Sequence, residues 1–117
     1  MMTRVSLFAA AAAIAAVLTG SAGAANPKLH ALVSDPVNIS LTVGGKKVST
    51  LKPGKYTIVV RDTARDHDFH LTGPGVNKST TVAGTGTQTW HVTLKRGTYK
   101  YVCDPHAIFM KGSFTVR

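Results

Sequence analysis

Within eight residues, from Cys103 to Met110, the run Cys-Asp-Pro-His-Ala-Ile-Phe-Met sets a thiolate, an imidazole and a thioether on one short segment. Thiolate and thioether are soft donors that favour copper, whereas calcium and magnesium call for hard oxygen ligands. Two His, one Cys and a weak axial Met form the donor set of electron-transfer copper. Cys103 and His106 supply two of the three strong donors and Met110 the weak one, so a second imidazole must come from elsewhere in the chain. Zinc also takes Cys and His, but thioether is a poor zinc ligand. A dinuclear copper centre would need a second bridging cysteine, and Cys103 is the only one. A hydrolytic Cys-His pair is disfavoured because no orienting acid or oxyanion hole is legible around Cys103. Extra His-x-His pairs, which multicopper oxidase chemistry would require, are missing, and no enzymatic activity is expected.

The elements that must position these donors are short and alternating. Val37, Ile39, Leu41 and Val43 share one face of an extended segment that stops at Gly44-Gly45. After the turn at Lys52-Pro53-Gly54-Lys55, residues Tyr56 to Arg61 are rich in β-branched side chains. A further extended piece, 67–71, ends at Gly73-Pro74-Gly75. Trp90, Val92 and Leu94 alternate with Thr89, His91 and Thr93, and the turn at Lys95-Arg96-Gly97 leads into a segment where Tyr99, Tyr101 and Cys103 share a face. Phe114 and Val116 point inward from the last segment. Seven to eight such strands with no sustained helical period imply an all-β, antiparallel two-sheet sandwich.

Strand parity separates the five histidines. In His67-Asp68-Phe69-His70-Leu71 the apolar Phe69 and Leu71 mark the inward face, which His67 shares and His70 does not. His30, His70 and His91 are expected at the surface, and His67 becomes the second imidazole. The competing reading of Met110 is a core methionine beside Phe109 and Phe114.

The segments at 67–75, 99–106 and 110–116 together resemble the cupredoxin family of type 1 blue copper proteins, of which plastocyanin and amicyanin are members. The resemblance runs from about Ile39 to the C-terminus. It implies a Greek-key β-sandwich with one copper ion at one end, held by His67, Cys103 and His106 with Met110 axial. His70 matches a second histidine of amicyanin that is not a ligand. By the same resemblance, His106 is the ligand nearest solvent, ringed by a docking patch of Pro74, Ala107, Ile108 and Phe109. Two departures stand out. Three residues separate His106 from Met110, between the two of amicyanin and the four of plastocyanin. Asp68 replaces the Asn that usually follows the first His and ties the two halves of the site together. An ionised Asp only accepts hydrogen bonds, and Asp104 would bring a second carboxylate near it and raise one pKa. A pH-sensitive site is therefore expected, with Asp68→Asn flattening its pH dependence.

Residues 1–25 have the layout of a secretory signal peptide: a short start with Arg4, an apolar stretch from Val5 to Leu18, and small residues to Ala25. The stretch is shorter than a membrane-spanning helix needs. Export through the general secretory route to a periplasm or the exterior is expected, with no stable membrane insertion. Residues 26–117 then form a single copper-binding domain. Without Arg4 its formal charge is +8, one below the +9 of the whole chain, with five Asp and no Glu. Export and the absence of an aromatic stacking series exclude nucleic acid as a partner. The charge would steer redox protein partners with acidic docking surfaces toward a monomeric carrier. The function expected is one-electron transfer. A copper carrier or scavenger that delivers the metal to another exported protein would use the same ligands.

Overall fold

The computed structural model describes residues 26–117, so the expected signal peptide lies outside the described residues. Strands β1 (Lys28–Ser34), β2 (Asn38–Val43) and β3 (Lys46–Lys47) are followed by β4 (Thr50–Leu51), β5 (Gly54–Asp62), β6 (His70–Gly73) and β7 (Val76–Ser79). The chain ends with β8 (Gly86–Leu94), β9 (Gly97–Val102), a single 3-10 turn at Asp104–His106 and β10 (Lys111–Val116). One five-stranded sheet has the order β3-β2-β1-β5-β8, the other β4-β10-β9-β6-β7. The expected sandwich is there, with the inward residues of β8, β9 and β10 buried as their alternation requires.

The pairing is not purely antiparallel. β1 runs parallel to β5, and β4 parallel to β10. The chain leaves the first sheet after β3, touches the second with β4, and returns as β5 on the side of β1 opposite β2. That crossover brings β5 in with the same direction as β1. Of the inward series on β2, Leu41 is fully buried, while Val37 and Val43 at its ends are exposed.

A column of rings fills the space between the sheets. Phe69 stacks on Tyr101 with ring centroids 5.4 Å apart, and Tyr99 on Phe114 at 5.2 Å. Two glycines make room for it. A Cβ on Gly73 would collide with the ring of Tyr99, and one on Gly112 with the ring of Tyr101. Because Tyr101 is fully buried and cannot withdraw, Gly112→Ala is expected to cost about 1–3 kcal/mol by overpacking. A lower urea midpoint with an unchanged slope checks this.

The strand ends fix where chemistry can occur. β9 delivers Cys103 at one end of the sandwich, and the 63–69 segment between β5 and β6 crosses the same end. Pro74 lies elsewhere, which corrects its expected place in the docking patch. Its carbonyl accepts the Tyr99 hydroxyl at 3.0 Å, and its ring lies against Gly97 at the start of β9. The length of β9, about 20 Å at 3.3 Å per residue, separates it from Cys103. The cause is β6, which runs antiparallel to β9 and carries the chain away from the Cys103 end.

Candidate metal centre

Cys103, His106 and Met110 come from the loop joining β9 to β10, which closes on itself through backbone hydrogen bonds. Cys103 N–H donates to Met110 O at 3.0 Å, Met110 N–H to His106 O at 2.9 Å, and His106 N–H to Cys103 O at 3.0 Å. The loop has no slack through which its donors could wander. His67 comes from the segment before β6. Its Nε2–H donates to the carbonyl of Pro36 at 2.9 Å, which leaves the lone pair on Nδ1.

That Nδ1 converges with two other donors. His67 Nδ1 is 3.6 Å from Cys103 Sγ and 3.2 Å from His106 Nδ1, and Cys103 Sγ is 3.4 Å from His106 Nδ1. Three atoms so spaced lie on a circle of about 2.0 Å radius, close to the 2.0–2.3 Å lengths of metal bonds to imidazole and thiolate. His67 and Cys103 are fully buried and His106 is partly open to solvent. The spacing, softness and burial of these donors fit a single copper ion. Met110 is fully buried at the end of the same loop.

A family model described as copper binding proteins, plastocyanin/azurin family, matches residues 28–117. The chain belongs to this cupredoxin family. Among solved structures, a methionine-to-glutamine mutant of rusticyanin matches with a TM-score of 0.58 at 21% identity, covering 77% of this chain and 76% of that one. Rusticyanin from Thiobacillus ferrooxidans matches with a TM-score of 0.54 at 24% identity, over 77% and 76% of the two chains. At such identities the likeness is one of fold. No curated protein matches the chain.

In this cupredoxin Asp104 brings the expected second carboxylate beside Asp68. Asp68 Oδ1 accepts the backbone N–H of Asp104 at 2.6 Å, so an acceptor-only side chain still ties the His67 segment to the Cys103 loop. Burial pushes the Asp68 carboxyl up to about 6, and the facing Asp104 carboxyl adds to this. Asp104 moves the other way, lowered first by its hydrogen bond with Asp68 and also by His70. Burial also raises the Cys103 thiol, so a metal ion that takes this sulfur as thiolate must displace a proton.

Strand parity reached His67 by an argument that holds only in part. β6 begins at His70, so 67–69 is loop, and Asp68 is buried together with His67 and Phe69. His30 and His91 are exposed, as expected. His70 is not a free surface histidine. Its Nδ1 lies 2.9 Å from Asp104 Oδ2 and its Nε2 2.7 Å from Asn77 Oδ1, two acceptors that raise its pKa and favour the imidazolium. Nothing in the sequence pairs residues 70, 77 and 104. The register of β6 between β7 and β9 does so.

The sign of the pH effect on the metal-free fold follows. A carboxyl at about 6 in the folded chain and 3.8 in the unfolded chain binds its proton more tightly when folded. Its stabilisation is complete below pH 3.8 and is lost as pH rises through 6. His70, also raised, contributes with the same sign. Metal-free protein is therefore expected to have a lower urea midpoint at pH 8 than at pH 5. Asp68→Asn should shrink that drop while leaving the His70 part, and an unchanged drop would remove Asp68 as its source.

Proposed function

We propose that this protein is an exported one-electron carrier, with copper held by His67, Cys103 and His106 as strong donors and Met110 as the weak axial one. The observation that carries this reading is the convergence of His67 Nδ1, Cys103 Sγ and His106 Nδ1 within 3.6 Å of one another. Copper, when bound there, supplies a one-electron couple. The protein's part is to keep the donors still while the charge changes, because ligand movement is what makes electron exchange slow. Pro36 fixes the His67 ring, Asp68 ties its segment to Asp104, and three backbone bonds close the Cys103 loop.

His106 offers the way out for the electron. It is the only one of the three donors open to solvent, and its ring meets that of Phe109 edge-on at 5.6 Å. Ile108 is 88% exposed and Phe109 58%, and with Ala107 they form a small apolar patch beside it. A patch of this kind suits brief contact with a redox protein, in which little area is buried and release is fast. Pro74 has no part in it. Among the described residues no helix is long and apolar enough to cross a membrane.

Copper delivery uses the same donors but requires them to let go. The full burial of Cys103 and Met110 and the closed loop between them favour redox cycling over transfer. Titration with copper(II) followed by voltammetry tests the proposal. One equivalent should produce an intense visible thiolate-to-copper band and a reversible one-electron wave. Binding without a reversible wave, and with quick loss of metal to a competing chelator, would instead support delivery.

A further inference from the structure

Charge is distributed unevenly over this domain. Its five carboxylates are all on or near the segments at the metal end. Asp35 and Asp66 approach His67 Nε2 at 3.4 and 3.8 Å, Asp68 and Asp104 face each other, and Asp62 is buried at the end of β5. Among the described residues, every contact of ion-pair distance between a basic side chain and a carboxylate involves His67 or His70, and no lysine or arginine has a carboxylate partner of its own.

Three of those lysines converge. Lys47, Lys100 and Lys111 line an open groove of about 410 Å³ together with Val102, Gly112 and Ser113. One wall is the edge of β10. Strand β4 covers β10 only at Thr115 and Val116, where Thr115 N–H donates to Ser49 O. Hydrogen-bonding direction alternates along a strand, so the N–H groups of Lys111 and Ser113 also point away from β9, toward an edge with no strand on it. The groove therefore combines three ammonium groups with outward backbone donors. Lysines on an open edge discourage the addition of another strand, and nothing in the lining offers an apolar anchor larger than Val102.

We propose that this groove is the seat for a carboxylate-rich face of the protein partner and sets that partner's approach to His106. The inference rests on the electron-carrier reading and names the surface it uses. Its position supports it. Lys111 directly follows Met110 and pairs with Val102, the residue before Cys103. Another cationic hollow, lined by Lys78 and Lys95, runs along β7 and β8 from the level of Tyr101 to the Pro74 end, so its two lysines are spread over the length of the sandwich, whereas the β10 groove gathers three. On the His67 flank, the exposed Asp35 and Asp66 would repel an acidic face. Asp104 repels less, because His70 is paired with it. An acidic partner is thus drawn to the three-lysine groove and repelled where Asp35 and Asp66 are exposed, which restricts how the pair can dock.

The test uses the reduced, copper-loaded protein, a peptide of six aspartates as probe, and amide shifts of the nitrogen-15-labelled chain. Shifts should concentrate at residues 47, 100, 102 and 111–113 and fade with added salt. Combined Lys47→Gln, Lys100→Gln and Lys111→Gln should weaken peptide binding about tenfold or more. A control with Lys28→Gln, Lys55→Gln and Lys95→Gln, of the same net charge, should weaken it less than threefold. Equal weakening by both sets would overturn the proposal in favour of net charge alone, and shifts centred on Lys78 and Lys95 would overturn its location. Inorganic phosphate that reproduces the same shifts at the same concentration would show a small-anion site instead of a protein seat. The titration reads the groove independently of electron exchange, so a failed voltammogram beside the expected titration would remove only the electron-carrier reading.

Discussion

Cys103→Ala should give a folded protein that stays colourless in copper(II) and binds the metal several hundredfold more weakly. Cys103 is the only sulfur of its kind in the chain, so no other thiolate can replace the absorption or the affinity. Structural zinc sites release about 10–16 kcal/mol, and sharing that over four donors assigns roughly 2.5–4 kcal/mol to one of them, which reaches several hundredfold in affinity. The imidazoles remain, which is why weak binding should persist. The fold should survive, because replacing a thiol by hydrogen leaves a small void and the ring column around Tyr101 does not depend on it. Far-ultraviolet circular dichroism and a copper titration at matched pH check both halves. A strong visible band in the variant would place the metal elsewhere and end the assignment of this site.

The ligand loop was legible because its chemistry is local. Cys103, His106 and Met110 are close in sequence, and a soft donor set identifies its metal without knowledge of the fold. His67 was harder, since it needed a rule for which side of a strand faces the core. That rule gave the right residue, yet the segment is a loop, and Asp68, which alternation would place outside, is buried. Alternation describes a sheet face. At the end of a sandwich a crossing loop can bury consecutive side chains if their polar atoms find partners, as Asp68 does on the Asp104 backbone.

What depends on register was not legible. Pro74 entered the expected docking patch by family resemblance alone, which carries no register. Antiparallel pairing of β6 with β9 sends it to the other end. The ion pair of His70 with Asp104 and the groove shared by Lys47, Lys100 and Lys111 arise for the same reason, from strands far apart in sequence laid side by side. β1 is not among the expected strands, although Leu29, Ala31 and Val33 alternate and are buried. Asn26-Pro27 before it and Asp35-Pro36 after it are the turn signals that could have found it. The charge count, in turn, described the whole chain and hid where the carboxylates sit.

Met110 is the donor for which packing and ligation make different forecasts, and two substitutions separate them. Met110→Ala should cost about 2–5 kcal/mol whichever role is right, because a fully buried side chain is cut away. Met110→Leu nearly conserves volume and should cost less than about 1.5 kcal/mol, so its effect on stability is small in either case. Its effect on the reduction potential is the discriminating quantity. A thioether favours reduced copper when compared with harder donors, but leucine offers no lone pair at all. Removing a coordinated dipole and leaving hydrocarbon in its place penalises the more highly charged oxidised ion more than the reduced one. The potential of Met110→Leu should therefore rise, and each tenfold change in the ratio of the two states' affinities corresponds to about 59 mV for a one-electron couple. A rise of about that size or more, with the urea midpoint nearly unchanged, assigns the axial position to Met110. A potential within a few millivolts of the parent protein would make Met110 a core residue and leave copper with His67, Cys103 and His106 alone.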